Sequence, residues 1–127
     1  MMSSKRVLFS GTGVSREEGL QRAASHLVAA GIESRVTEAD SGLLEDVVRH
    51  PPDVLVFELA DDPADDLAFL KLVRRLYPLL PFVILGHGGR LGIRRLVQGL
   101  NPVYFGVVPV DGPEIEEAVT AALRRVR

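Results

Sequence analysis

Glu58 closes the apolar run Asp53-Val54-Leu55-Val56-Phe57-Glu58-Leu59, and four aspartates follow it, Asp61, Asp62, Asp65 and Asp66. A carboxylate at the end of a strand can serve as an acceptor group, a base or a metal ligand. Two glycine-rich segments are the other places where chemistry is legible. Ser10-Gly11-Thr12-Gly13-Val14-Ser15 lies between an apolar run and a helical period. Backbone N–H groups and hydroxyls in such a turn can cradle an anion at a helix N-terminus. Gly86-His87-Gly88-Gly89-Arg90 follows a second apolar run and carries one imidazole and one guanidinium. Any bound anion is therefore expected on the amides of Thr12, Gly13, Val14 and Ser15, with Arg90 near. The same glycines also suit a turn that needs only positive φ. The aspartate run lacks the spacing and glycine of an EF-hand and reads as a solvated loop with favourable charge at a helix start. His26, His50 and His87 are too scattered for a metal site. With no cysteine, thiolate ligands, a thiol nucleophile and disulfides are excluded. No metal and no cofactor is expected.

The elements that hold these residues follow from periodicity. Arg6-Val7-Leu8-Phe9 reads as the first strand, and Ser15 with Glu18 as a capping box. Leu20, Ala23, Ala24, Leu27 and Val28 then repeat at helical spacing up to Gly31. Residues 34–39 form a polar strand suited to a sheet edge, and Leu43, Leu44, Val47 and Val48 a short helix stopped by Pro51-Pro52. The runs ending at Glu58 and at Leu85 are apolar throughout, as in parallel strands buried on both faces. Between them Leu67, Leu70, Val73, Leu76 and Tyr77 mark a helix. Ile93, Leu96, Val97 and Leu100 give the fourth helix, Val103 to Val108 the fifth strand, and Ile115, Ala118, Val119, Ala122, Leu123 and Val126 the last core stripe. Five β–α units predict one α/β domain, a doubly wound parallel sheet in the flavodoxin-like order 2-1-3-4-5 with helices on both faces. Ligand chemistry on such a sheet sits at the carboxyl ends of the strands.

The whole chain, residues 1–127, resembles the receiver domain of bacterial two-component response regulators. The residues that carry the likeness are Pro52 to Leu59, Pro63, Asp65 to Arg75, Pro81 to Leu85 and Phe105 to Asp111. A receiver accepts a phosphoryl group on an aspartate after strand three. It holds Mg²⁺ on an acidic pair after strand one and neutralises the transferring oxygens with a Ser/Thr and a Lys. At the matching positions this chain reads Glu58 for the phosphoacceptor, Ser10-Gly11 for the acidic pair, Gly86 for the Ser/Thr and Val108 for the Lys; only Pro109 is kept. The resemblance thus implies a degenerate pseudo-receiver, with Glu58 either mimicking a phosphorylated aspartate or left over from lost chemistry.

The expected function is a non-phosphorylatable signalling domain that acts through protein–protein interaction and is not an enzyme. The alternative is a small anion-, nucleotide- or flavin-binding domain using the loops 10–15 and 86–90; the first resembles the FMN-phosphate loop of flavodoxins, but no aromatic follows strand three or four. A net charge of −2 gives no basic field for nucleic acid or membrane. No apolar run is long enough for a membrane span or signal peptide, so a cytoplasmic protein is expected. Receivers commonly pair through helix four, strand five and helix five. Here that face offers Arg94 and Arg95 on one helix, Glu116, Glu117 and Thr120 on the other, and Tyr104 between them. An isologous contact would match each patch with the opposite charge of the second copy.

Overall fold

The computed structural model describes residues 5–11, 17–40, 42–87 and 92–125. Strands and helices alternate as β1 (Arg6–Gly11), α1 (Glu18–Ala29), β2 (Glu33–Glu38), α2 (Leu43–Arg49), β3 (Val54–Glu58), α3 (Ala64–Leu76), β4 (Phe82–His87), α4 (Ile93–Gln98), β5 (Tyr104–Val108) and α5 (Gly112–Arg125). All neighbouring strands are parallel, in the order β2-β1-β3-β4-β5. The expected order is thus observed, for the expected reason. β3 is buried at every residue and sits in the middle, whereas the polar Glu33–Glu38 strand has no fully buried residue and closes an edge.

Alternation along the strands divides the core in two. Val7, Phe9, Val54, Val56, Val83 and Leu85 face α1 and α5, while Leu8, Leu55, Phe57, Phe82 and Ile84 face α2, α3 and α4. The α1 side closes tightly at Gly19, where a Cβ would stand 2.1 Å from the carbonyl oxygen of Val110. Among the described residues no helix is long and apolar enough to cross a membrane.

Local details differ from the sequence reading in several places. The N-cap of α1 is Glu17, whose carboxylate accepts the Gly19 N–H at 3.0 Å, so the helix begins at Glu18; Ser15 lies outside the described residues. β2 starts at Glu33, drawn in by the Glu33 N–H to Lys5 carbonyl bond and the ion pair between Arg6 and Glu33 at 2.9 Å. Leu96 is exposed rather than core, because the six-residue α4 and its exit bury only Ile93, Val97 and Leu100.

At the amino edge of the sheet, Arg74 organises the connection from α3 to β4. Its Nε donates to the Leu100 carbonyl at 3.0 Å, and its Nη1 to the carbonyls of Leu80 at 2.6 Å and Pro78 at 3.1 Å. The guanidinium also stacks 4.0 Å over the Phe82 ring.

Candidate functional site

Register brings the carboxyl ends of four strands together. Gly11 pairs with Glu58, Glu58 with Leu85, and His87 with Val108. Glu58 is only 6% exposed. Its Oε2 lies 3.4 Å from His87 Nε2, and its Oε1 is buried without a hydrogen-bond partner. On the other side of the half-exposed imidazole, Nδ1 is 3.8 Å from Asp61 Oδ1. Burial pushes the Glu58 carboxyl above its ordinary range; His87 opposes this, and the nearby carboxylates of Glu17 and Glu38 add to it. The imidazole therefore sits between a buried acid and an exposed one, where its protonated form is the only cation touching Glu58 among the described residues.

Of the pair Ser10-Gly11, expected to stand where a receiver has its acidic pair, Gly11 is closed in by backbone. Gly11 has φ +133°, and a Cβ there would stand 2.3 Å from the Glu58 carbonyl oxygen and 2.8 Å from its nitrogen. No residue with a side chain fits without moving β3. The Ser10 hydroxyl is fully buried and has no partner; alternation turns it to the Phe57 side of the sheet, away from Glu58. At Gly86 a Cβ would lie 3.1 Å from Phe105 Cζ, so an aromatic ring occupies the space beside it. Val108 is half-buried, and the Val108–Pro109 peptide bond is cis.

The aspartates after β3 do not converge. Asp66 accepts the Ala60 N–H at 2.8 Å, and burial raises its carboxyl while that bond opposes the rise. Asp62 accepts the Ala64 N–H at 3.4 Å, Asp61 approaches His87, and Asp65 is exposed. Among the described residues no three His, Asp or Glu side chains form a group that could hold a metal ion. The expected anion contacts, Thr12, Gly13, Val14, Ser15 and Arg90, lie outside the described residues.

The face around α4, β5 and α5 is partly committed within the chain. Glu116 Oε2 lies 2.9 Å from His26 Nδ1 on α1, which takes it out of the acidic patch. Arg94 stacks 5.1 Å over the Phe105 ring. Tyr104 is half-buried, its ring crossing Gly106, where a Cβ would lie 2.9 Å from Cε2. Arg95 and Glu117 are exposed and Thr120 is half-buried. Leu96 and Val107 add exposed apolar surface beside them.

The contact between Glu58 and His87 escaped the sequence reading, which singled out both residues separately. Its signal was available: once β3 and β4 are parallel and adjacent, their last residues must meet at one edge. The Phe105 ring against Gly86 was hidden, since its side-chain direction depends on the packing of α4.

No family model matches the chain, and no curated protein matches it. Solved structures do. The apo receiver domain of nitrogen regulatory protein C superposes with a TM-score of 0.79 at 24% identity, covering 98% of each chain. A response regulator receiver domain protein from Clostridium thermocellum gives 0.77 at 15% identity, covering 95% of each. The chemotaxis response regulator CheY4 of Vibrio cholerae gives 0.71 at 19% identity, covering 98% of this chain and all of its own. The fold is that of receiver domains. At these identities the likeness concerns architecture.

Proposed function

We propose that this chain is a receiver-like signalling domain that does not accept a phosphoryl group and acts by contact with another protein. The observation that carries this reading is the backbone approach at Gly11. Phosphoryl transfer to a carboxylate depends on a divalent cation and fixed positive charge that neutralise the transferring oxygens. The second metal-ligand position cannot bear a carboxylate while Gly11 lies against Glu58, and Val108 supplies no charge where the family has Lys. Glu58 already has a neighbour, His87, whose Nε2 lies 3.4 Å from its Oε2 and which is a counter-ion to it when both groups are charged. Signal then passes through surfaces rather than through a covalent adduct at this position.

The surface we assign to the partner is α4–β5–α5, through Arg95, Leu96, Val107 and Glu117. Two-fold pairing of this chain across it would rest on Arg95 and Glu117 in particular, since Glu116 is held by His26. Aliphatic side chains ringed by charge are the usual make-up of a specific, modest-affinity contact. The deciding experiment is incubation with acetyl phosphate and Mg²⁺ followed by intact-mass and peptide mass spectrometry. The expected result is no adduct. Stoichiometric, Mg²⁺-dependent phosphate on Glu58 or on Asp61 to Asp66 would overturn the reading.

A further inference from the structure

The two lateral strands of the sheet, β2 and β5, are built differently. β2 carries Glu33, Arg35 and Glu38 within one strand, and charge of this kind keeps an edge from pairing with another strand. From Val103 to Val110 there is no charged residue. β5 has β4 as its one neighbour in the sheet. The Val103 N–H donates to the Phe82 carbonyl at 2.9 Å, and the alternation of a parallel ladder then turns Phe105 and Val107 toward β4 as well. The backbone N–H and C=O groups of Tyr104, Gly106 and Val108 therefore point away from the sheet. The Val107 side chain is 45% exposed on the same strand.

α5 extends this edge. Glu114, Ala118, Ala121 and Arg125 follow each other at helical spacing and make one row along the helix. With Val103 and Tyr104 they line a hollow of about 350 Å³ beside β5. Glu116 lies on the other flank of the helix, against His26 of α1. Glu114 and Arg125 are exposed, and neither forms an ion pair among the described residues. The row is symmetric about its middle in spacing and opposite in charge at its two ends.

We infer that β5 pairs antiparallel with β5 of a second copy of this chain, so that one sheet runs through both. The inference rests on assigning the α4–β5–α5 surface to a partner, and it names that partner; it stands whether or not Glu58 can be phosphorylated. With a two-fold axis normal to the sheet at Gly106, Gly106 faces its counterpart, and Tyr104 faces Val108 of the other copy. These are the residues whose backbone groups point outward, so the ladder closes with about six N–H···O bonds. Val107 comes beside Phe105 of the other copy and is covered. The same axis lays the two α5 helices antiparallel on one face of the joined sheet. With the middle of the row at the axis, Glu114 stands opposite Arg125 and Ala118 opposite Ala121, each pair occurring twice. Acid meets base, small meets small, and no like charges meet along the row. Open backbone and charge order are both self-complementary, which favours a second copy over an unrelated strand. A ladder of five residues is short, so the dimer is weak and exchanges rapidly.

The test is analytical ultracentrifugation at low salt, joined to residue-resolved amide exchange across a concentration series. The wild type is expected to dimerise, and the amides of Tyr104, Gly106 and Val108 to exchange more slowly as concentration rises. Those of Phe105 and Val107, bonded to β4 in either state, should not change. Glu114→Arg and Arg125→Glu are each expected to dimerise at least about tenfold more weakly. An equimolar mixture of the two is expected to recover the association, because each row then meets the opposite charge, and recovery also shows that both variants are folded. Val107→Lys, a charge placed on the edge, is expected to be monomeric. A wild type that stays monomeric up to its solubility limit overturns the inference and leaves the absence of phosphorylation, read by mass, untouched. A mixture that fails to associate overturns it, as does a dimer in which the amides of Tyr104, Gly106 and Val108 gain no protection. A dimer that survives Val107→Lys but is lost with Arg95→Glu would overturn it too, by placing the contact on α4.

Discussion

The two edges of the sheet treat their polar groups in opposite ways. At the amino edge, Arg74 reaches from α3 to the carbonyls of Pro78, Leu80 and Leu100, so an irregular connection is satisfied by one side chain. At the carboxyl edge, Glu58 Oε1 and the Ser10 hydroxyl are buried with no partner among the described residues. Most buried polar atoms in folded proteins are hydrogen-bonded, and an unmet one costs about 1–3 kcal/mol. The amino edge is therefore built for stability. The carboxyl edge retains groups that stability alone would have removed, at the end of the sheet where doubly wound folds place their sites.

Substitutions that enlarge or remove this contrast are expected to differ in size. The largest loss should come from Gly11→Asp, which restores one acidic residue at the carboxyl edge. The aspartate needs a Cβ where only 2.3 Å separates that position from the Glu58 carbonyl, at φ +133°. Strain and overpacking together predict about 3–5 kcal/mol of destabilisation, read from urea unfolding. A near-neutral result would mean that β1 and β3 can part at this edge, and would weaken the argument against metal binding.

Second in size is Arg74→Met at the amino edge. Methionine keeps the apolar stem but strands the carbonyls of Leu80, Leu100 and Pro78. The guanidinium is partly buried, and burial lowers its pKa from the ordinary arginine range. Loss of several charge-assisted bonds predicts about 2–3 kcal/mol. Hydrogen exchange should show faster opening of residues 77–81 than of β1 or β3.

Glu58→Gln acts in the other direction. Burial holds the Glu58 carboxyl above its ordinary range, so the folded chain keeps this proton more tightly than the unfolded one. Its contribution to stability is full below the ordinary glutamate range and is lost as pH rises through the raised value. Glutamine removes that loss. The variant is expected to gain about 1 kcal/mol at neutral pH over the wild type, and the gain should vanish in acid. Urea midpoints for the two proteins, measured across pH, give the difference directly.

How much of this could be read from the sequence depended on whether pattern or packing decided it. The strand order was legible because β3 and β4 are apolar throughout while Glu33–Glu38 is polar, a contrast that the order 2-1-3-4-5 satisfies by putting the polar strand at an edge. That Ser10, Gly11, Gly86 and Val108 stand where the resemblance implies acidic, hydroxyl and basic groups was legible from residue identity. The closure of Gly11 against Glu58 was not, because a glycine's neighbours leave no trace in its own position. Leu96 was misassigned because helical spacing cannot tell a wide stripe from the narrow one of a short helix. The role of Arg74 was invisible, since its acceptors are backbone carbonyls that every residue has.

His87→Ala is expected to have the smallest effect on stability and tests the carboxyl edge most directly. Among the described residues the imidazole is the only group that pulls the Glu58 carboxyl downward; burial, Glu17 and Glu38 all push it up. Removing it should let the Glu58 midpoint rise further, which a carbon-13 NMR titration of the carboxyl would follow. Because the pair is half open to solvent, the accompanying loss of stability should be about 0.5 kcal/mol and should shrink with added salt. The sign separates two accounts of the site. If His87 is the counter-ion of Glu58, the midpoint moves up in the alanine variant and the double variant with Glu58→Gln shows no further change. A midpoint that stays where it was would mean that burial alone governs Glu58, and the 3.4 Å approach of the two side chains would carry no electrostatic weight.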